Sequence, residues 1–202
     1  MDPNSDPEPV VVPGPRDVRG VLDGPPAATG CVVACPPHPE YGGNRRDQRL
    51  VAVGDALADA GIACLRFDYG PWDAGPGERD DAVRAVRWAT DRFDAVALFG
   101  YSFGGGIALL AATDSPVRAV SVLAPAARVG RDLDAVVALP SLTVPVQVQY
   151  GTRDDRASWE PVVEAARDHG ASVVEYPADH FFLTKESTIA NAVVEFVSNP
   201  LG

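Results

Sequence analysis

Short, continuous apolar runs alternate along this chain with segments in which apolar residues recur every three or four positions. The continuous runs at residues 30–34 and 62–67 are typical of buried strands. Between them, Leu50, Val53 and Leu57 have the spacing of one face of a helix. Strand, helix and strand in this order form the βαβ unit of a parallel sheet.

The same alternation continues to the C-terminal end of the sequence. A helix is predicted near residues 78–92, and strands are predicted directly before residue 100, near 119–123, at 144–150 and at 172–176. Two late helices are indicated by apolar residues at helical spacing, namely Trp159, Val162, Val163 and Ala166, and then Ile189, Val193, Phe196 and Val197. The pattern predicts an α/β fold with a mostly parallel central sheet and helices on both faces.

The length of 202 residues suits one domain with a well-buried core. Residues 1–9 are acidic and proline-rich, so we predict a flexible arm there, followed by a domain over residues 10–202. No apolar run approaches the length that crosses a bilayer, and the N-terminus lacks the basic-then-apolar pattern of a secretion signal. A cytoplasmic location is expected.

Three cysteines, Cys31, Cys35 and Cys64, all lie in apolar strand-like segments. In such segments a thiol usually behaves as a small buried hydrophobic group. Cys31 and Cys35 are four residues apart on one extended strand, about 13 Å by strand rise, so they could neither bond to each other nor share a metal ion. We predict core packing, with neither disulfides nor a metal site.

The formal net charge is −11, which argues against nucleic acid or an anionic membrane as a partner. Asp greatly outnumbers Glu, Arg supplies almost every positive charge, and Lys185 is the only lysine. An acid-rich, lysine-poor surface suggests a halophilic protein, because salt screens the repulsion between like charges. The alternative explanation is an arginine-rich composition inherited from a GC-biased genome.

If the charge reflects adaptation to salt, the thermal unfolding midpoint should rise from dilute buffer to molar potassium chloride. The physical reason is that screening removes the self-repulsion that destabilises the folded chain in dilute buffer. Thermal melting across that range of salt concentrations measures the effect. A flat or falling midpoint would leave genome composition as the explanation.

A candidate nucleophile follows the apolar run at residues 95–98. The segment Gly100-Tyr101-Ser102-Phe103-Gly104 has the Gly-x-Ser-x-Gly pattern, and a small-residue helical run at residues 105–112 comes after it. In a nucleophile elbow the serine lies on a sharp strand-to-helix turn, where flanking side chains would collide. Ser102 is therefore the predicted nucleophile, against the alternative of a bystander serine in a glycine-rich turn.

The chain has three histidines, so the candidate base can be found by elimination. His169 precedes Gly170 at a helix end, where a histidine commonly meets carbonyls or solvent. His38 follows the first strong strand and is expected mainly to shape that loop. His180 lies between the last strand and the last helix, where catalytic groups are often presented, and is the predicted base.

The acid that orients the imidazole must come from another loop on the same edge of the sheet. Asp154 follows the strand at 144–150 and is the predicted acid, with Asp155 as a competitor that could instead cap the next helix. Asp179 is adjacent to His180 in sequence and would reach its ring awkwardly.

An oxyanion hole needs backbone N–H groups aimed at the developing negative charge. Phe103 supplies one predicted donor. The second is expected from the loop after His38, where Pro39 has no N–H, so Glu40 or Tyr41 is the candidate.

Three further side chains could line the site and bind substrate, although ordinary packing is the more common role of each. They are His38, Trp72 and Phe181.

Several segments resemble the α/β-hydrolase superfamily over roughly residues 10–198. The loop His38-Pro39-Glu40-Tyr41-Gly42-Gly43 is similar to a His-Pro-x-x-Gly-Gly loop of one compact group, and residues 65–70 resemble its Arg-Phe-Asn-x-Arg-Gly segment. Gly77, Glu78 and Asp81 also fit that group. The resemblance, closest to the dienelactone-hydrolase-like and carboxylesterase-like branches, implies Ser102 as nucleophile, Asp154 as acid and His180 as base.

The chain departs from this pattern at residues 69–72, where the second arginine is absent, so substrate contacts in that loop are expected to differ. The expected function is a serine hydrolase that cleaves a small ester through an acyl-enzyme, with no metal or organic cofactor. The sequence leaves room for only one short helix at the position where this superfamily usually inserts a lid. A thioesterase, peptidase or acyltransferase using the same residues, or a non-catalytic binding module, stays open as an alternative.

Overall fold

A computed structural model describes residues 7–202, in which eight strands form one sheet with helices on both of its faces. The strands are β1 (Glu8–Val12), β2 (Val18–Asp23), β3 (Gly30–Cys35), β4 (Ala63–Asp68), β5 (Ala95–Tyr101), β6 (Val120–Leu123), β7 (Val146–Gly151) and β8 (Ser172–Tyr176). The helices are α1 (Gln48–Asp59), α2 (Pro76–Thr90), α3 (Phe103–Ala112), α4 (Glu160–Asp168) and α5 (Glu186–Leu201).

The strand order is β1-β2-β4-β3-β5-β6-β7-β8, and every pair from β4 to β8 in this order is parallel. Helices α1 and α5 pack together on one face, while α2, α3 and α4 cover the other. Strand β3 is buried at every residue because each face of the sheet is covered by helices. Its residues alternate between the two cores, with Val33 in one and Val32 in the other. The predicted fold class is confirmed.

The two N-terminal strands were not specified by the sequence pattern. Strand β1 pairs antiparallel with β2, and β2 pairs antiparallel with β4, at one edge of the sheet. Both strands are only partly buried, which weakens the apolar signal on which the prediction depends.

The arm predicted for residues 1–9 is too long at its C-terminal end. Glu8 and Pro9 belong to β1, where they pair with Leu22 and Val21. Residues 1–6 of that predicted arm lie outside the described residues.

The three cysteines are free and buried in strands, which confirms their predicted role in packing. Burial raises the pKa of the Cys31 thiol to about 12. Within the part of the chain that the structure describes, none of the helices combines the length and the apolar character that a membrane crossing requires.

Candidate active site

The loops that carry the candidate groups meet at the carboxyl edge of the parallel sheet. His38 follows β3, Ser102 follows β5, Asp154 follows β7 and His180 follows β8. Because parallel strands all end at the same edge, residues far apart in sequence are brought to one place. The topology therefore explains how four separate loops form one candidate site.

Ser102 lies between β5 and α3 with backbone angles of φ 57° and ψ −119°, which a side chain-bearing residue rarely adopts. The two glycines of the motif make this turn possible. A Cβ atom on Gly100 would overlap the Gly104 carbonyl, and one on Gly104 would overlap the Cys35 carbonyl. The strand, sharp turn and helix predicted around Ser102 are all present.

The candidate acid and base are in direct contact. His180 Nδ1 lies 2.7 Å from Asp154 Oδ2, and the Asp154 side chain is fully buried. Asp155, the competing acid, is exposed and pairs with Arg156 instead, at 3.6 Å. It does not cap α4, since the residue preceding that helix is Trp159. Thus the structure brings Asp154, not Asp155, to the imidazole.

Two backbone N–H groups also donate to the Asp154 carboxylate. Its Oδ1 accepts from Arg156 at 2.9 Å and from Ala157 at 3.2 Å. Burial of the carboxyl opposes its ionisation, but the hydrogen bonds from His180 and from these two N–H groups outweigh that effect and hold the Asp154 pKa below its ordinary value. The ionised carboxylate is suited to keep a proton on His180 Nδ1, which leaves Nε2 to accept another.

Ser102 is half-buried at the same edge of the sheet. Over residues 7–202, its hydroxyl forms no side-chain hydrogen bond, so the candidate nucleophile and the candidate base are not in direct contact. Catalytic hydrogen bonds commonly tighten only once substrate is bound.

The candidate oxyanion donors have different surroundings. Phe103 is the first residue of α3, where an N–H has no partner within its own helix. The Tyr41 N–H donates to the His38 carbonyl at 3.1 Å, as part of a short 3-10 helix, Pro39–Tyr41. Because Tyr41 is engaged in this way, Glu40 is the better candidate for the second donor.

An aromatic cluster surrounds His38 on one side of the site. Its ring centroid lies 4.6 Å from Tyr41, 4.5 Å from Trp72 and 4.8 Å from Phe103. Burial among these rings lowers the His38 pKa, so the ring is neutral near pH 7. Trp72 stays 37% exposed, so this cluster leaves part of an apolar surface open to solvent.

Phe181, the third predicted substrate contact, lies apart from this cluster. Its ring meets the His180 ring edge-on at 5.9 Å and is 46% exposed. The predicted lining residues thus lie in two groups, one around His38 and one beside the candidate base.

The loop that carries Trp72 is held by two fully buried carboxylates of α2. Glu78 accepts from the Asp73 and Gly75 N–H groups at 2.9 and 2.7 Å. Asp81 accepts from the Gly70 N–H at 2.8 Å and pairs with Arg16 at 2.9 Å. These contacts give the acidic residues of the sequence motif a physical role, which is to fix the loop after β4.

The loop between β8 and α5, residues 177–185, carries His180 and is called the base loop here. Sequence reasoning did not single out two residues that contact it. The Tyr101 hydroxyl donates to the His180 carbonyl at 2.8 Å, and the Tyr101 ring stacks on the imidazole at 5.3 Å. Arg49 donates from Nη1 to the Phe181 carbonyl at 3.1 Å. Tyr101 occupies a variable position of the serine motif, and Arg49 is 132 positions from Phe181, so neither carried a local signal.

His169 lies away from the site and bonds through Nε2 to the Leu142 carbonyl at 3.0 Å. Among residues 7–202, no three His, Cys, Asp or Glu side chains are grouped so that they could hold a metal ion.

Comparison with known proteins finds strong structural likeness at low sequence identity. No protein-family model matches the chain, and no curated protein does either. A lidless α/β serine hydrolase from Xanthomonas campestris is 22% identical, with a TM-score of 0.82 over 98% of this chain and 96% of that chain. A dienelactone hydrolase from Anabaena variabilis is 26% identical, with a TM-score of 0.79 over 98% of this chain and 100% of that chain.

An esterase from Pyrococcus furiosus is 16% identical, with a TM-score of 0.84 over 98% of this chain and 92% of that chain. These likenesses extend over nearly the whole of each protein, so they concern the complete domain and not one motif. Together with the sheet order and the strained serine turn, they identify this chain as a lidless protein of the α/β-hydrolase fold.

Proposed function

We propose that this chain is a serine hydrolase that cleaves a small ester through an acyl-enzyme on Ser102. The observation that carries the proposal is the pairing of His180 with buried Asp154 at 2.7 Å, on the same sheet edge as the strained Ser102 turn. A hydroxyl on such a turn is exposed for attack, and a histidine oriented by a carboxylate is a suitable base.

In the first half of the proposed reaction, His180 Nε2 takes the proton of the Ser102 hydroxyl as its oxygen bonds to the ester carbonyl carbon. The N–H groups of Phe103 and Glu40 stabilise the resulting oxyanion. The C–O bond to the leaving alkoxide then breaks, and His180 returns the proton to it. Asp154 stabilises the imidazolium throughout.

In the second half, His180 removes a proton from water as the water oxygen attacks the acyl carbon. The bond between the acyl carbon and Ser102 Oγ then breaks, the carboxylic acid leaves, and His180 returns the proton to Oγ, which restores the hydroxyl. Every proton transfer uses the same imidazole, so the chemistry needs only this chain's own residues and water.

The substrate class is inferred from the surface around Ser102. The connection between β6 and β7 carries a single 3-10 helix, Val136–Ser141, and the aromatic rings of Trp72 and Phe181 are partly open to solvent. An open, shallow site favours small soluble esters over long lipids. The hydrolase and esterase names of the structural neighbours agree with this class.

The test is covalent labelling with a fluorophosphonate, which forms a bond from the serine oxygen to phosphorus as fluoride leaves. Digestion and mass spectrometry should find the adduct on the peptide that contains Ser102, and Ser102→Ala should abolish it. An unlabelled Ser102 in folded, salt-equilibrated protein would contradict the proposed function.

A further inference from the structure

Arg49, at the start of α1, has its guanidinium enclosed by groups from three parts of the chain. Its Nη2 pairs with Asp47, its Nη1 donates to the Phe181 carbonyl at 3.1 Å, and its Cζ lies 4.5 Å from the centroid of the Tyr101 ring. The Arg49 side chain is only 13% exposed. One side chain therefore connects α1 to the end of β5 and to the loop after β8.

The contacts of Arg49 lie directly beside the reacting groups. Tyr101 precedes Ser102, and Phe181 follows His180. Tyr101 itself donates to the His180 carbonyl at 2.8 Å. Two successive carbonyls of the base loop are thus held from the same side, one by Tyr101 and one by Arg49.

The base loop needs such contacts because its backbone is strained. Phe182 and Thr184 have φ angles of 51° and 64°, in the left-handed region that favours glycine. Strained angles of this kind persist only where the surrounding structure fixes them. Phe182 anchors the loop through its fully buried side chain, and Arg49 holds it through the Phe181 carbonyl.

Within residues 7–202, the surroundings of Arg49 also leave one of its hydrogen-bond donors unsatisfied. Its Nε is buried and has no hydrogen-bond partner among the described residues. A buried unsatisfied donor weakens a fold, and such groups are concentrated where function determines the residue.

We propose that Arg49 is a positioning residue that holds the loop of His180 in the place from which its imidazole can meet Ser102 once substrate is bound. This inference rests on the proposed serine-hydrolase function. Arg49 acts through the Phe181 carbonyl and the Tyr101 ring and touches no substrate itself. Loss of these contacts allows the imidazole to shift, and a displacement of about 1 Å at a reacting group costs about 10²-fold in rate.

The experiment measures the rate of fluorophosphonate labelling of Ser102, and kcat and KM for p-nitrophenyl acetate. Arg49→Met should lower both the labelling rate and kcat by about 10- to 100-fold and leave KM unchanged. Arg46→Met is the matched control, because Arg46 is exposed on the same segment and forms no ion pair among the described residues. It should label at the wild-type rate.

A second variant tests whether Arg49 and Tyr101 act on the same loop. Tyr101→Phe removes the hydroxyl that holds the His180 carbonyl. Residues that act through one element are not additive, so Arg49→Met combined with Tyr101→Phe should lose less activity than the product of the two single losses. Fully multiplicative losses would overturn the shared positioning role.

Chemical rescue separates positioning from a general loss of folding. Arg49 lines an open cavity of about 510 Å³, so methylguanidinium can reach the space that Arg49→Ala leaves. Added methylguanidinium should restore part of the labelling rate of Arg49→Ala and should not affect wild type.

Thermal melting checks that each variant is folded. If the larger changes unfold the protein, Arg49→Lys decides, since lysine keeps the positive charge but lacks the planar guanidinium that bonds Asp47 and the Phe181 carbonyl in fixed directions.

The possible failures are distinct. A wild-type protein that does not label contradicts the proposed function, and the inference about Arg49 falls with it. A wild-type protein that labels at the same rate as Arg49→Met and Arg49→Lys overturns the inference alone. Equal losses in Arg49→Met and Arg46→Met would also overturn it, because they would reflect the loss of positive charge and not of a specific contact.

Discussion

Ser102→Ala should reduce ester turnover by roughly 10⁶-fold, about the loss seen when the catalytic serine of subtilisin is removed. Alanine keeps the backbone turn but has no oxygen to form the acyl-enzyme. The measurement is kcat/KM on a panel of p-nitrophenyl esters and thioesters, at low and at molar potassium chloride, so that a salt requirement cannot hide the activity.

The matched control is Ser198→Ala. Ser198 is an exposed serine on α5 whose hydroxyl donates to the Val194 carbonyl, and its loss should leave turnover within a factor of two. If Ser102→Ala keeps substantial activity in folded protein, the nucleophile lies elsewhere. If wild type itself turns over no acyl compound on the panel, the fold serves a binding role instead.

Asp154→Asn should lower turnover by about 10⁴-fold, because an amide keeps the size of the carboxylate and removes the charge that stabilises the imidazolium. The Asp154 carboxylate lies 2.7 Å from His180 Nδ1, so the substitution changes the partner of the base directly. Asp155→Asn is the matched control on the neighbouring residue, which is exposed and faces Arg156. It should retain nearly full activity.

Kinetics and melting of both variants, measured side by side, check this assignment. If Asp155→Asn is inactive while Asp154→Asn is active, the acid is Asp155. Near-wild-type activity in both would require a different acid altogether.

The loss of stability at acidic pH provides a second measurement of the effect of Asp154→Asn. The Asp154 pKa is lower in the folded protein than its ordinary value of about 3.9, so its ionised form stabilises the fold above that value. This contribution is lost as the pH falls through the folded-state pKa. We expect the free energy of unfolding to fall more steeply below about pH 4 in wild type than in Asp154→Asn, as measured by urea titration.

The parallel part of the fold was predictable because its strands are buried on both faces. A strand such as β3 leaves an uninterrupted apolar run, and a helix such as α1 leaves a three-to-four periodicity, so each can be recognised locally. The edge strands β1 and β2 alternate less clearly and were not specified.

The candidate site was predictable where chemistry leaves a motif or a unique position. Ser102 lies in a glycine pattern, and His180 is the only histidine in the loop after the last strand. Arg49 illustrates the opposite case. Its partner Phe181 is distant in sequence, and an arginine near a helix start is usually a solvent-exposed charge, so only the folded chain reveals the contact.

The connection between β6 and β7 also affects how an acyl group on Ser102 would be removed. That stretch carries the 3-10 helix Val136–Ser141 and a bridge between Arg128 and Asp134, with no inserted helical domain that would cover Ser102, so water can approach an acyl group there. Water at its full concentration would then outcompete a dilute alcohol or amine for the acyl group. Under the proposed function, an acyl group on Ser102 would therefore be transferred mainly to water, which favours a hydrolase over an acyltransferase built on the same fold.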